Sequence, residues 1–305
     1  MKRILSLVGI ILVTMAVILA GCGKPGITVG SKIDTEGALL SQMIIVILQA
    51  KGFEVIDKSS FGPTPVVKKA LETGEIDLYP EYTGNGAFFF DEADSEVWKD
   101  AQKGYERVKK LDLEVNNIVW LEPAPANNTW AIAIPRELAE KEGISSLDDF
   151  SSYINRGGYV KLIGSEEFVN SEAALPALQH AYGFTLKKDQ LLTVSSGDTA
   201  QTEKAAYEGT DGVNAAMAYG TDGTLSAFDL IIMDDPKGWQ PVYLPAPRVR
   251  GEVLDKNPEI ADIINPVFRT LDLKTLQTLN GKIAVEGQNA ADVAHDYLSS
   301  KGFLK

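Results

Sequence analysis

The chain has 305 residues and a formal net charge of −13, and 45% of its residues are hydrophobic. This length accommodates two units of ordinary domain size. The acidic balance argues against a nucleic-acid-binding protein, because the phosphates of a nucleic acid would be repelled.

The first residues have the pattern of a bacterial secretory signal. Lys2 and Arg3 precede an uncharged apolar run, residues 4–20, and small residues follow at its end. A short apolar run that ends in this way is typical of a cleaved signal peptide rather than a membrane span. We therefore predict that residues 1–21 are a signal peptide. The alternative is an uncleaved anchor helix.

Cys22 is the single cysteine of the chain, which excludes an intramolecular disulfide. The sequence Leu19-Ala20-Gly21-Cys22 resembles the bacterial lipobox, and this resemblance implies a lipid on Cys22. Residues 22–25 would then be a tether to the extracytoplasmic face of the cell membrane. Cleavage would remove two of the 29 basic residues and none of the 42 acidic ones, which leaves a charge of −15.

Strands and helices alternate through the body of the chain. The runs 27–30, 53–56 and 76–79 are rich in β-forming residues, and apolar residues at helical spacing separate them. This order predicts a parallel sheet covered by helices. Further strands are predicted at 131–134, 159–163 and 213–219, with helices around 172–182 and 199–208.

The last third of the chain is predicted to be helical. Asn257 and Pro258 are expected as the N-cap and first residue of one helix, and Gly281 is expected to end the next. We expect these helices to pack on the first unit. The whole pattern predicts two α/β units with a ligand crevice at the carboxyl ends of their strands.

Residues suited to catalysis are scarce. Of the two histidines, His180 is expected near a helix end and His295 in the final helix, and no nucleophile-elbow, P-loop or zinc-protease motif occurs. The acidic run at 91–96 lacks the glycine and the terminal glutamate of a calcium loop. We therefore predict a binding protein that is not an enzyme and that has neither a cofactor nor a metal site.

Four aromatic residues lie at predicted strand ends or at the predicted crossings between the units: Tyr82, Trp130, Tyr219 and Tyr243. Rings gathered at one crevice could hold a quaternary ammonium ion. Such a cation has no N–H group to donate, so cation–π attraction must replace hydrogen bonding. The alternative is that the rings are ordinary core or hinge residues.

Several motifs together resemble the osmoprotectant-binding family. They are Gly30-Ser31-Lys32 with Thr35-Glu36, residues 74–84 (GEIDLYPEYTG), Asn127 to Ile134, Ser196 to Ala200, and Ala218 to Gly223. The closest branch by motif is that of the osmotically induced betaine binders. The resemblance implies a two-lobed type II periplasmic-binding-protein fold and a receptor for glycine betaine, choline or a related solute. It also implies partnership with an ABC permease and its ATPase.

The resemblance also implies a set of ligand-binding residues. Tyr82, Trp130, Tyr219 and Tyr243 match the aromatic cage, with tryptophan where tyrosine is usual. Lys32 matches a lysine that helps to hold the ligand carboxylate. Asn85 replaces a threonine, and the arginine of the carboxylate site has no counterpart, since that stretch offers Asn170 or Ser171. Cation recognition is therefore expected to be stronger than carboxylate recognition.

The lobes are predicted as residues 26–128 with 244–305 and residues 129–243, in a protein that acts as a monomer. Two other functions remain open from sequence. One is a receptor for an amino acid or other zwitterion, and the other is an exported sensory module that does not take part in transport.

Overall fold

The computed structural model describes residues 26–172, 174–195 and 199–304. Cys22, the predicted signal peptide and the predicted tether lie outside the described residues. None of the described helices is long and apolar enough to cross a membrane.

Ten strands lie within the described residues. They are β1 (Ile27–Lys32), β2 (Val55–Gly62), β3 (Leu78–Tyr82), β4 (Ile118–Trp120), β5 (Trp130–Pro135), β6 (Leu162–Ser165), β7 (Leu191–Val194), β8 (Ala215–Tyr219), β9 (Leu230–Ile232) and β10 (Pro245–Arg250).

Fourteen α-helices lie between and after these strands, again counting described residues only. They are α1 (Thr35–Ala50), α2 (Thr64–Glu72), α3 (Gly86–Phe89), α4 (Ala101–Asn116), α5 (Arg136–Glu142), α6 (Leu147–Asn155), α7 (Glu166–Asn170), α8 (Leu175–Tyr182), α9 (Thr199–Glu208), α10 (Thr224–Ala227), α11 (Gly251–Lys256), α12 (Glu259–Phe268), α13 (Leu273–Ala284) and α14 (Ala290–Ser300).

The strands form two five-stranded sheets of the same design. The first sheet has the order β2-β1-β3-β10-β4, and the second has the order β7-β6-β8-β5-β9. In each sheet four strands run in the same direction, and the remaining strand, β10 or β5, runs antiparallel to both of its neighbours. The parallel β-α-β-α-β opening predicted from sequence is confirmed.

The chain crosses twice between the sheets, and each crossing ends in an antiparallel strand. Residues 121–129 lead from β4 of the first sheet into β5 of the second, and residues 233–244 lead from β9 back into β10. We call these two stretches the crossing segments. The two crossing segments are adjacent, because Asn128 N donates to Tyr243 O at 3.0 Å and Thr129 Oγ1 donates to Pro241 O at 3.1 Å.

The C-terminal helices complete the core of the first sheet, as predicted. Leu39, Met43 and Ile47 of α1 are buried in one apolar cluster with residues of α12, α13 and α14. Burial of this apolar surface is the main stabilising contribution to the first unit. A separate cluster, which includes Phe150 and Phe168, fills the second unit.

A buried ion pair also stabilises the first unit. Arg248 of β10 donates through Nη2 to Asp112 Oδ1 of α4 at 2.9 Å, and both side chains are fully buried. Tyr79 and Glu72 provide further acceptors for the guanidinium group. These partners compensate for the desolvation of the two charges.

Two predicted helix boundaries were wrong. Helix α12 begins at Glu259, and Asn257 donates to Val253 O at 3.1 Å rather than capping that helix. Helix α13 continues past Gly281 to Ala284. Gly281 lies against the backbone of Gly223, because a Cβ on Gly281 would lie 3.0 Å from Gly223 O and a Cβ on Gly223 would lie 2.2 Å from Gly281 N.

Candidate ligand site between the two sheets

A cavity of about 1070 Å³ lies between the two sheets and is lined by residues of both units. All six residues predicted from sequence to contact the ligand line it: Lys32, Tyr82, Asn85, Trp130, Tyr219 and Tyr243. Asn170 and Ser171, the residues offered in place of the missing arginine, are not among its lining residues. The structure therefore brings the predicted cage and the predicted lysine to one place.

Equivalent strand ends position two of the four rings. Tyr82 is the last residue of β3, and Tyr219 is the last residue of β8, the corresponding central strand of the second sheet. The carboxyl ends of parallel strands are where α/β sheets bind ligands. The sequence had placed Tyr82 just beyond its strand rather than at its end.

The antiparallel strands position the other two rings. Trp130 begins β5 and pairs with Tyr219, and Tyr243 lies two residues before Pro245, which pairs with Tyr82. The crossing segments hold Tyr243 in place, since its backbone N donates to Asn127 Oδ1 at 2.8 Å. Each central strand therefore contributes one ring, and the other two rings lie at the start of, or just before, the antiparallel strands that follow the crossing segments.

The rings of the second unit stack on each other. The ring centroids of Trp130 and Tyr219 lie 6.5 Å apart with an interplanar angle of 23°. The ring centroids of Trp130 and Phe168 lie 5.8 Å apart in a T-shaped arrangement. Burial raises the pKa of Tyr219 and raises that of Tyr243 to about 12. Both phenols are thus neutral near pH 7 and present uncharged ring faces to the cavity.

The position of Gly84 explains how the Tyr243 ring fits into the first unit. A Cβ on Gly84 would lie 2.7 Å from Tyr243 Cδ1, so the ring packs directly on the glycine backbone. Any other residue at position 84 would displace the ring from the cavity wall.

The sequence predicted that Lys32 helps to hold the ligand carboxylate, but in the structure this lysine already has a partner in the chain. Its ammonium group forms an ion pair with Glu81, which is fully buried, and lies 4.4 Å from the centroid of the Tyr82 ring. Asn85 donates to the same Glu81 carboxylate at 2.7 Å. Both predicted carboxylate-binding residues are thus engaged with a carboxylate of the chain itself.

Sequence reasoning assigned no role to Glu36, although this residue lines the cavity and is only 5% exposed. Tyr82 OH donates to its Oε1 at 2.7 Å, and Asn280 Nδ2 donates to its Oε2 at 2.7 Å. Asn128 Nδ2 is a third donor at 3.3 Å. The sequence signals were its place in the Thr35-Glu36 motif and its position as an acidic residue in the first turn of a helix after β1, where Glu is common.

No group of three or more metal-ligating side chains occurs among residues 26–172, 174–195 and 199–304. His295 is an exposed residue of α14 whose nearest charged partner is its neighbour Asp296.

Comparison with known proteins identifies the family. Residues 25–300 match the model described as the substrate-binding domain of the ABC-type glycine betaine transport system. The chain belongs to this family.

Two named relatives are similar over most of their length. The chain is 55% identical over 279 residues to the glycine betaine-binding protein YehZ of Escherichia coli, covering 92% of each chain. It is 32% identical over 282 residues to a glycine-betaine-binding protein of Pseudomonas aeruginosa, covering 90% of this chain and 88% of the relative.

Solved structures of the family have the same fold. Ligand-free YehZ superposes with a TM-score of 0.86, and the match covers 92% of this chain and 99% of that one. A structure described as a glycine betaine/carnitine/choline ABC transporter superposes with a TM-score of 0.81 at 18% identity, covering 92% of this chain and 100% of that one. The two-sheet architecture is that of type II periplasmic binding proteins, as the sequence predicted.

Proposed function

We propose that the chain is the extracytoplasmic solute-binding component of an ABC importer for quaternary-ammonium osmoprotectants such as glycine betaine or choline. The observation that carries this proposal is the position of Tyr82, Trp130, Tyr219 and Tyr243. Two of these rings come from equivalent strand ends, Trp130 begins β5 and Tyr243 lies in a crossing segment, and all four line one cavity. The protein would bind and release its solute without chemical change.

The rings provide the interaction that a trimethylammonium head requires. A cation over a tyrosine or tryptophan face gains about 0.5–2 kcal/mol per ring, and more where water is excluded. The Lys32 ammonium group supports this reading, because it is a positive charge that lies 4.4 Å from the centroid of the Tyr82 ring.

The carboxylate end of glycine betaine would be recognised more weakly. Lys32 and Asn85 are bound to Glu81, so a ligand carboxylate must compete with a carboxylate that is already in place. We therefore propose weak betaine binding, in the high-micromolar range or poorer, at about −5 kcal/mol. The preference for betaine over choline would be small.

Residues 26–128 with 244–305 and residues 129–243 would act as two lobes of a monomer. Closure about the two crossing segments would trap the solute and present both lobes to the permease. The adjacency of the segments supports this, since a hinge made of two neighbouring segments permits rotation with few broken contacts.

Calorimetry with paired ligands tests the binding proposal. Choline and glycine betaine should bind, whereas ethanolamine and glycine, which lack the methyl groups, should not. Replacement of each cage ring by Ala should weaken binding about 5- to 30-fold. Preferential binding of unmethylated amino acids would favour a zwitterion receptor, and Ala variants that bind like the wild type would show that the rings only pack.

Membrane attachment would come from a lipid on Cys22, with residues 1–21 removed. A lipid chain stabilises attachment by about 0.8 kcal/mol per buried CH₂ group, so Cys22→Ala should release the protein from the membrane fraction or leave the precursor uncleaved. Labelling with radioactive palmitate is the direct measurement. An unlabelled wild-type protein would contradict the lipid anchor.

A further inference from the structure

Beside the proposed cage lies a buried acidic group, the carboxylate of Glu36. Ligand binding by the four rings does not require this group. It lies in the first turn of α1 and accepts hydrogen bonds from β3, from a crossing segment and from α13. Its partners are donors, namely the Tyr82 hydroxyl, the side-chain amides of Asn128 and Asn280, and the Thr221 hydroxyl. Donors of this kind stabilise the ionised form of a carboxylate.

The contacts of Glu36 couple the cage to both units. Tyr82 is a cage ring of the first unit, and its hydroxyl group is bound to Glu36. Asn280, which holds the other carboxylate oxygen, also donates to Thr221 O of the second unit at 2.9 Å. The Oδ1 atom of Asn280 is buried and has no hydrogen-bond partner among the described residues. The carboxylate is therefore fixed beside the place where the two units meet.

Charged groups around Glu36 do not provide a compensating cation. Asp34, the N-cap of α1, is a second carboxylate, and Asp222 lines the same cavity. Lys32 lies near Tyr82, but the buried carboxylate of Glu81 pairs with it. The remaining groups that contact Glu36 are neutral. A cation in the cage would thus be the closest uncompensated positive charge.

We propose that Glu36 is the counter-ion of the cage, so that it favours ligands with a net positive charge over zwitterions and loses a proton when such a ligand binds. This inference rests on the proposed binding of quaternary amines. The released proton passes to the solvent, and no other reactant is required.

The protonation of Glu36 supports this role. Burial raises the pKa of its carboxyl group from 4.5 to about 7, and hydrogen bonds from Thr221, Tyr82 and Asn280 only partly oppose the rise. Near neutral pH the free protein would therefore be a mixture of both forms. A bound cation favours the ionised form, and by linkage the ionised form favours the cation.

The two candidate ligands should respond differently. Choline has a net charge of +1, so its affinity should increase with pH as Glu36 ionises. Glycine betaine has its own carboxylate a few atoms from the ammonium group, and this charge offsets most of the attraction. The two ligands share the same head group. A difference in the pH dependence of their affinities therefore reports the difference in their net charge.

The test is calorimetry of choline and glycine betaine on the full-length chain, purified in detergent, between pH 5.5 and 8.5. We expect the Kd of choline to fall about tenfold over this range, since two unit charges a few ångströms apart near a protein surface interact by more than 1.4 kcal/mol. The Kd of betaine should change less than about threefold. At pH 6.5, titrations in two buffers of different ionisation enthalpy should reveal proton release with choline.

Glu36→Gln tests the residue itself, because glutamine resembles the protonated acid. This variant should bind choline like the wild type at pH 5.5 and about tenfold more weakly at pH 8.5. Glu167→Gln removes an exposed carboxylate from the cavity wall and should retain the increase in affinity with pH.

The outcomes separate the two proposals. A wild type that binds choline without proton release, or a Glu36→Gln variant that keeps the full pH dependence, would overturn the counter-ion role while leaving the binding function intact. Failure of both ligands to bind at every pH would instead overturn the proposed function. The proton count needs only the wild type, so the test stands even if the variant does not fold.

Discussion

The two units stabilise the predicted cage rings in different ways. In the first unit Tyr82 is surrounded by charged groups, namely Lys32, Glu81 and Glu36. In the second unit Trp130 and Tyr219 stack on each other, and the apolar Phe168 packs against Trp130. Substitutions that change charge should therefore mainly affect the ring of the first unit. Substitutions that change ring shape should mainly affect the rings of the second unit.

The same difference extends beyond the cage. The first unit contains two ion pairs with little or no exposure, Arg248–Asp112 and Lys32–Glu81. Among the described residues of the second unit, the recorded ion pairs lie nearer the surface, as in Lys237–Asp148. A buried charge that loses its partner is costly, whereas an exposed one is hydrated. The stability of the first unit should thus be the more sensitive to loss of a charged partner.

Asp112→Ala should have the largest effect on stability. It leaves the guanidinium group of Arg248 buried without its main partner, which should cost about 3–5 kcal/mol of the free energy of unfolding. The matched variant in the second unit, Asp148→Ala, removes an exposed partner of Lys237 and should cost less than about 1 kcal/mol. Urea denaturation measures both. Equal losses would show that the proposed difference between the units is wrong.

Glu36→Gln should change the pH dependence of stability. The folded protein keeps a proton on Glu36 up to about pH 7, whereas the unfolded chain loses it near pH 4.5. The stabilising contribution of the protonated form is therefore complete below pH 4.5 and is lost as the pH rises towards 7. Between pH 5.5 and 8 this amounts to about 2 kcal/mol.

The measurement is the unfolding free energy of the ligand-free wild type and variant at both pH values. The difference between the two proteins isolates Glu36 from other titrating groups. At pH 8 the variant should be the more stable protein, although it binds choline more weakly. A pH profile parallel to that of the wild type would contradict the buried, titrating carboxyl group.

Tyr82→Phe and Tyr219→Phe compare the two halves of the cage directly. Both changes keep a ring face, so cation–π attraction should remain. Only Tyr82→Phe removes a hydrogen bond from Glu36 and so makes ionisation of that carboxyl group harder. Choline binding at pH 7.5 should weaken about threefold to fivefold in Tyr82→Phe and less than about twofold in Tyr219→Phe. Equal losses would indicate that both hydroxyl groups serve the ligand in the same way.

Much of the fold was accessible from the sequence because the patterns are local. The parallel opening follows from short strands separated by helical spacing, and helix α9 coincides with the predicted range 199–208. The four cage residues follow from motifs that keep their order along the chain. Their gathering in one cavity required the strand pairing that the structure provides.

What the sequence could not reveal depends on distant contacts. Glu36 acquires its role from Asn280, which is 244 positions away, and from Tyr82. Lys32 resembled a free ligand-binding lysine until strand β3 placed Glu81 beside it. The sequence suggested that a helix ends at Gly281. The close approach of this residue to Gly223 is a tertiary contact, which no local pattern could predict.

Lys32→Ala should have the smallest effect on ligand affinity and tests the charged surroundings of the first predicted cage ring. The Lys32 ammonium group is already paired with Glu81, so little of its charge is available to a ligand carboxylate. We expect betaine affinity to fall about threefold, which is less than 1 kcal/mol, while choline affinity stays nearly the same. Lys58→Ala on strand β2, an exposed partner of Glu75 outside the cavity, is the control and should change neither ligand. Calorimetry of both ligands on the three proteins decides the point. Nanomolar betaine binding by the wild type, or an equal loss for both ligands in Lys32→Ala, would mean that the carboxylate is bound elsewhere in the cavity.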